Sequence, residues 1–131
     1  MFFDWKEYLA IAKDLKAKTD GQSHSNANEA LQRTAISRAY YSMYHLAVNY
    51  AKTNFAYVPS QNGQNQYHAD IRIEYQKRSG NPDHQEIRKI LARMHKARLD
   101  SDYKSESLGN TKSLLSSLIR DADRMKGILN S

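Results

Sequence analysis

NEALQRTAISRAYYSMYHLAVNYAKT, residues 28–53, decides the fold class. Ile36, Tyr40, Met43, Ala47 and Tyr50 recur in steps of four and three, the spacing that brings side chains onto one face of an α-helix. That face is expected to be buried. Arg38, Ser42, His45, Asn49 and Lys52 keep the same rhythm on the opposite side, with Tyr41, Tyr44 and Val48 on the flank between. An ordinary surface helix carries a wide polar face with several acids and lysines. This strip is narrow, lacks any acid and is bordered by aromatic rings, as suits the wall of a cleft or a symmetric interface.

Outward from this helix the chain divides at its few Gly and Pro residues. Upstream, Asp4 followed by Glu7 has the spacing of an N-cap and its reciprocal acceptor, with Phe3 and Tyr8 placed to staple the helix entry. Trp5, Leu9, Ala12 and Leu15 then form one apolar stripe, and Asp20-Gly21 ends the helix. Asn26 to Glu29 repeats the capping-box spacing and opens the second helix, which is expected to run to about Thr53. Residues 54–66 read as a loop, 67–78 as a third helix broken by Ser79-Gly80-Asn81-Pro82, and 83–103 as a fourth. Gly109-Asn110 precedes a fifth helix with the stripe Leu115, Leu118, Ala122, Met125 and Leu129. No segment alternates in the manner of a strand. The expected fold is an all-α, single-domain antiparallel bundle of four to five helices spanning residues 1–131.

Composition narrows the function classes. The 131 residues contain no cysteine, which removes disulfide frameworks, Cys-ligated zinc, redox pairs and thiol nucleophiles. No apolar run approaches the roughly 18–20 residues of a membrane span, and the acidic residues Asp4 and Glu7 in the first ten do not suit a signal peptide. A cytoplasmic location without membrane contact is therefore expected. The sequence shows no Walker loop, dinucleotide fingerprint or metal-ligand spacing, so neither cofactor nor metal is expected. The net charge of +6 is compatible with a polyanionic partner.

Arg38 and His45 are seven residues apart, so on a helix they point the same way within roughly 20° and lie about 10.5 Å apart along the axis. Both can reach a phosphate between them, and a two-fold axis would bring four such groups together. The exposed strip of an otherwise buried helix gives the same spacing. Arg78–His84 and Arg88–His95 have comparable separations. In the fourth helix, residues 87–98 hold Arg88, Lys89, Arg93, Lys96 and Arg98 with no acid, and the segment from Arg72 to Arg98 carries +5 of the net charge. Arg88, Leu91, His95, Arg98 and Asp102 form a line along it. This side suits either phosphate contacts or a solvated face paired to neighbouring acids. Asp102 is placed either to orient His45 or to pair with Arg98, and Tyr103 either to stack a base or to anchor the helix end. His24, His68 and His84 have no ligand-like spacing to one another.

The segment AISRAYYSMYHLA (residues 35–47) resembles the second helix of HEPN domains, a superfamily of small helical domains. FDWKEYLAIAKDL (residues 3–15) is similar to the first helix of standalone prokaryotic members, and His68 stands near the start of the third. ARLDSDY (residues 97–103) resembles their late Arg-x-x-Ala-Asp-Tyr signature, with Ser101 in the place of Ala. The resemblance implies a metal-independent endoribonuclease acting as a homodimer, with Arg38 and His45 as the Arg-x(4–6)-His pair. Many nuclease members carry that motif on a later helix, where this chain has Arg98, Asp102 and Tyr103. By this resemblance His45 would transfer protons and Arg38 would hold the phosphate. Tyr41, Ser42 and Asn49 would orient groups, and Arg88, His95, Arg98, Asp102 and Tyr103 would support RNA binding. A toxin or phage-defence role, with an antitoxin or nucleotidyltransferase-type partner, would follow. The alternative is a non-catalytic HEPN module that binds RNA, a nucleotide or a protein.

Overall fold

The computed structural model describes residues 3–59, 64–78 and 80–130, with the side chains of residues 64–66 outside that description. Five helices follow in order: α1 (Lys6–Thr19), α2 (Asn26–Phe55), α3 (Gln64–Gln76), α4 (Pro82–Tyr103) and α5 (Thr111–Leu129). Among the described residues there is no strand, and no helix is long and apolar enough to cross a membrane. The chain is an all-helical bundle.

The boundaries follow from local chemistry. Phe3 meets Tyr8 edge-on at 5.5 Å, as the staple expects, but the cap of α1 is Trp5, without a side-chain cap bond, rather than Asp4 with Glu7; Asp4 instead accepts from the Lys6 N–H at 3.0 Å. The start of α2 differs from expectation. Ser25, not Asn26, is the cap, its hydroxyl accepting from the Asn28 N–H at 3.0 Å. The helix also runs two residues past Thr53 and ends at Ala56 in the left-handed conformation (φ 53°). α3 begins three residues before Tyr67 and ends at Gln76, two before Arg78. The expected 54–66 loop therefore shrinks, and residues 60–63 of it lie outside the described residues, as does Ser79 of the expected break. Asn81 caps α4 by accepting from the Asp83 and His84 N–H groups, with Pro82 in the first turn, where no N–H is required.

Helix α2 packs against every other helix. Its apolar stripe is buried as expected except for the half-buried Tyr50, and Ala35, Ala39, Ser42, Val48 and Ala51 are buried too. Small side chains let neighbouring backbones approach from several sides. The core joins these residues to Leu9 and Ala12, Ile71 and Tyr75, Ile87, Ile90, Leu91 and Met94, and Leu115, Leu118, Ala122 and Met125. Each fully buried Leu, Ile or Met contributes roughly 1.5–3 kcal/mol relative to exposure. Several polar groups carried inside pair across helices, while Asp70 Oδ2, His84 Nδ1, Arg98 Nε and Ser101 Oγ are buried without a hydrogen-bond partner among the described residues. Gln32 donates to Thr19 and accepts from Thr111, and the Tyr75 hydroxyl donates to the Ala47 carbonyl at 2.8 Å.

Glu29 does not close a capping box. It turns toward the α4–α5 connection, accepting from the Ser107 hydroxyl at 2.6 Å and the Leu108 N–H at 3.3 Å. Hydrogen bonds from Ser107 and His24, with those from Leu108 and Arg33, hold its carboxyl well below the usual carboxylate range, at about 2. Arg33, braced by Glu29, donates to the carbonyls of Ser101, Lys104 and Glu106 and so satisfies the C-terminal end of α4. Arg33→Ala is expected to lower the unfolding free energy by about 2–3 kcal/mol. Denaturant melts would measure the loss, and hydrogen exchange should quicken selectively across residues 104–110.

Candidate functional site

Three helices bring their imidazoles and guanidiniums to one place. On α3, His68 and Arg72 are four residues apart and share a face; on α4, His95, Arg98 and Asp102 follow at steps of three and four. On α2, Tyr40, Tyr41 and Tyr44 form the wall between them. The rings of His68 and His95 stack at 4.8 Å with a 22° interplanar angle. Tyr40, only 1% exposed, places its hydroxyl 2.5 Å from His68 Nδ1. Arg72 donates to His95 Nδ1 at 3.2 Å, and Arg98 Nη2 approaches His68 Nε2 at 3.5 Å. Arg98 is 6% exposed, lies 5.2 Å from the Tyr41 ring centre and 5.6 Å from that of Tyr40, and pairs loosely with Asp102 at 3.7 Å.

These surroundings hold the imidazoles neutral. Burial first, then the neighbouring His95 and the charges of Arg98 and Arg72, push His68 down to about 4 from the ordinary 6.5. Burial together with Arg72 and Arg98 brings His95 to about 4 as well. Burial pushes the Tyr40 phenol up, so its proton stays on at neutral pH. Among the described residues no carboxylate bonds either imidazole, and no group of three or more His, Cys, Asp or Glu side chains is placed to hold a metal ion.

The expected residues are distributed unevenly around this cluster. His45 is half-buried and stacks on Trp5 at 3.5 Å, with Tyr44 edge-on at 5.0 Å; burial, then Lys52, lowers its pKa. Tyr44 in turn lies 4.8 Å from His68, so His45 sits at the far end of the same aromatic ridge. Arg38 turns toward α1, its guanidinium 5.1 Å from the Tyr8 ring centre. Ser42 departs from the expected exposed strip: it is fully buried, and its hydroxyl donates to the Trp5 carbonyl at 2.7 Å. The physical reason is that α1 covers this side of α2. Asn49 is exposed and lines a separate groove with Lys6, Lys126 and Asn130.

No family model matches this chain, and no curated protein or solved structure matches it.

The basic run on α4 is neutralised only in part. Arg93 bonds Asp121 through two nitrogens, Lys96 pairs with Asp100 and Arg98 with Asp102, while Arg88 donates to Gln85. Of the two roles open to Asp102, the structure selects the Arg98 pair, and Asp102 also accepts from Ser37 at 3.4 Å. Tyr103 is 72% exposed beside it. The sequence reading missed His68 and Arg72 as partners of His95. Their four-residue spacing was the available signal, but it lies on a short helix whose start was misplaced.

The neutral histidines have a consequence for stability. The unfolded chain takes up their protons near pH 6.5, the folded chain only near pH 4, so the unfolded state binds more protons across that window. Acidification from pH 7 to 5 is expected to lower Tm, with His45 and His84 acting in the same direction because burial, first among the causes, lowers both. Thermal melts of a His68→Gln/His95→Gln double variant should show a shallower fall over this range. An unchanged slope would contradict the assignment.

Proposed function

We propose that the chain is a HEPN-type, metal-independent endoribonuclease acting as a homodimer, and that its phosphodiester chemistry centres on His68 and His95 between Arg72 and Arg98. The observation that carries this reading is the pair of stacked neutral imidazoles flanked by two guanidiniums. The resemblance of residues 35–47 and 97–103 to HEPN helices supports the class.

The reading has a balanced proton path. One neutral imidazole removes the proton of a ribose 2′-hydroxyl while that oxygen forms a bond to phosphorus. The bond from phosphorus to the 5′-oxygen breaks, and the second imidazole, protonated, supplies the proton that leaves with it. The products are a 2′,3′-cyclic phosphate and a 5′-hydroxyl. Arg72 and Arg98 stabilise the charge that grows on the non-bridging oxygens, and Tyr40 holds the His68 ring in position. Tyr103, 72% exposed at the end of α4, offers a ring on which an unpaired base stacks. Arg38 extends the cationic margin toward α1. Ile73 of α3 and Leu99 and Tyr103 of α4 are exposed apolar side chains available to a second copy. A toxin or defence role, with an antitoxin or nucleotidyltransferase-type partner, belongs to the same reading.

The test is cleavage of single-stranded RNA by purified protein in EDTA, with light scattering to read the dimer. His68→Gln and His95→Gln are each expected to slow cleavage by about 10²–10⁴-fold, as loss of an acid or base does. Arg38→Ala and His45→Ala should act mainly on apparent affinity. If only the latter pair abolishes cleavage, the chemistry belongs to Arg38 and His45. If RNA is retarded in a gel but stays intact, the chain is a binding module.

A further inference from the structure

A guanidinium only donates hydrogen bonds, so the ring nitrogen that it faces must present a lone pair. Arg72 therefore fixes His95 with Nδ1 as acceptor and the proton on Nε2. Arg98, at 3.5 Å, faces His68 Nε2, which leaves the His68 proton on Nδ1, where it is donated to the Tyr40 oxygen. Each imidazole thus has its basic nitrogen covered by a cation. A base in this state is unable to accept a proton, and neither ring is ready to be an acid.

The guanidiniums are short of anionic partners. Arg98 is nearly fully buried, its Nε has no hydrogen-bond partner among the described residues, and its single carboxylate contact is the 3.7 Å pair with Asp102. Arg72 makes no ion pair with a carboxylate among the described residues; its bond is to His95. The groups facing the imidazole pair are Tyr40, Tyr41, Tyr44 and His45 from α2, Arg72 from α3, and Arg98 and Asp102 from α4, with Asp70 beyond Tyr44. Of these, two are fixed cations; Asp102 already lies against Arg98, and Asp70, whose Oδ2 is buried without a hydrogen-bond partner among the described residues, acts on Tyr44.

We propose that Arg72 and Arg98 form a phosphoryl-oxyanion site, and that an oxyanion bound there draws their donors away from His95 Nδ1 and His68 Nε2, uncovering both imidazole lone pairs for proton transfer. The inference takes its ligand class from the cleavage reading and adds regulation of that same site. A bound phosphate supplies the acceptor that the guanidiniums lack. Its negative charge also favours a protonated ring, and so produces the acid that the cleavage reading requires. The site is held in a resting state until substrate arrives.

The experiment is nitrogen-resolved NMR of the full chain labelled at histidine, at pH 6.5, with two probes. Inorganic phosphate stands for a terminal phosphate group. Thymidylyl-(3′→5′)-thymidine offers an internal phosphodiester without a 2′-hydroxyl and so cannot be cleaved by this route. Without ligand, His68 is expected as the Nδ1–H tautomer and His95 as the Nε2–H tautomer. With either probe at saturation, proton affinity of at least one ring should rise about tenfold or more, equivalent to one pKa unit. A response to the dinucleotide supports an internal phosphodiester as ligand, and a response to phosphate alone supports a terminal group. Arg72→Gln, chosen because Arg72 is less buried than Arg98, should release the fixed His95 tautomer and abolish its response. Unchanged signals with both probes, or an undiminished response in Arg72→Gln, would overturn the proposal. RNA cleavage without the shift rejects this device alone; the shift without cleavage supports the device and rejects the nuclease reading.

Discussion

Nearly all-round burial of α2 is the constraint from which the rest of the structure follows. A 30-residue helix in contact with four others must satisfy every polar group it carries inward, and its sequence does so by position. Gln32 links Thr19 of α1 to Thr111 of α5. Ser42 meets the Trp5 carbonyl, and the Ala47 carbonyl receives the Tyr75 hydroxyl. Arg33 and Glu29 bind the end of α4 to its connection with α5. These are directional contacts, so they fix the rotation of each neighbour as well as its distance. The placement of His68 and His95 against Tyr40 depends on that rotation.

The resulting site is electrostatically one-sided. Ring meets ring along Trp5, His45, Tyr44, His68 and His95, stacked at both ends and edge-on or tilted at Tyr44, and two guanidiniums border the inner end of that series. Burial removes the water that would otherwise stabilise charged imidazole, and the nearby arginines oppose a further positive charge. Elsewhere on α4, Arg93 has an acid from α5 and Lys96 one from its own helix. The contrast separates cations closely paired with acids from Arg72, which has no carboxylate partner among the described residues, and Arg98, whose one carboxylate contact is long at 3.7 Å.

Much of the bundle was legible in its sequence because the dominant signals are periodic. The centres of the stripes of α1, α2 and α5 are buried as their spacing indicates, with Trp5, Leu15, Tyr50 and Leu129 at their ends only partly so, and Gly109, with its positive φ of 72°, marks the expected break before α5. The failures have a common origin. Periodicity identifies one apolar face but says nothing of a second neighbour that covers the other, which is why Ser42 was read as exposed. Capping patterns compete when several candidates adjoin, and Ser25 prevailed over Asn26. For the site, His95, Arg98 and Tyr41 were legible as a helical line and flank. His68 and Arg72 join them only through packing of α3 on α4, a contact between segments more than 20 residues apart.

The stacking of Trp5 on His45 has an optical consequence. Trp5 is the sole tryptophan of the chain, so all indole emission arises from one ring, in face-to-face contact at 3.5 Å with an ionisable one. Protonated imidazole is an electron acceptor and neutral imidazole a poor one. The emission yield therefore registers the charge on His45 directly, and it also registers whether the first turn of α1 is seated against α2. The molecule carries its own fluorophore at the outer end of the ridge that leads to His68, requiring no label.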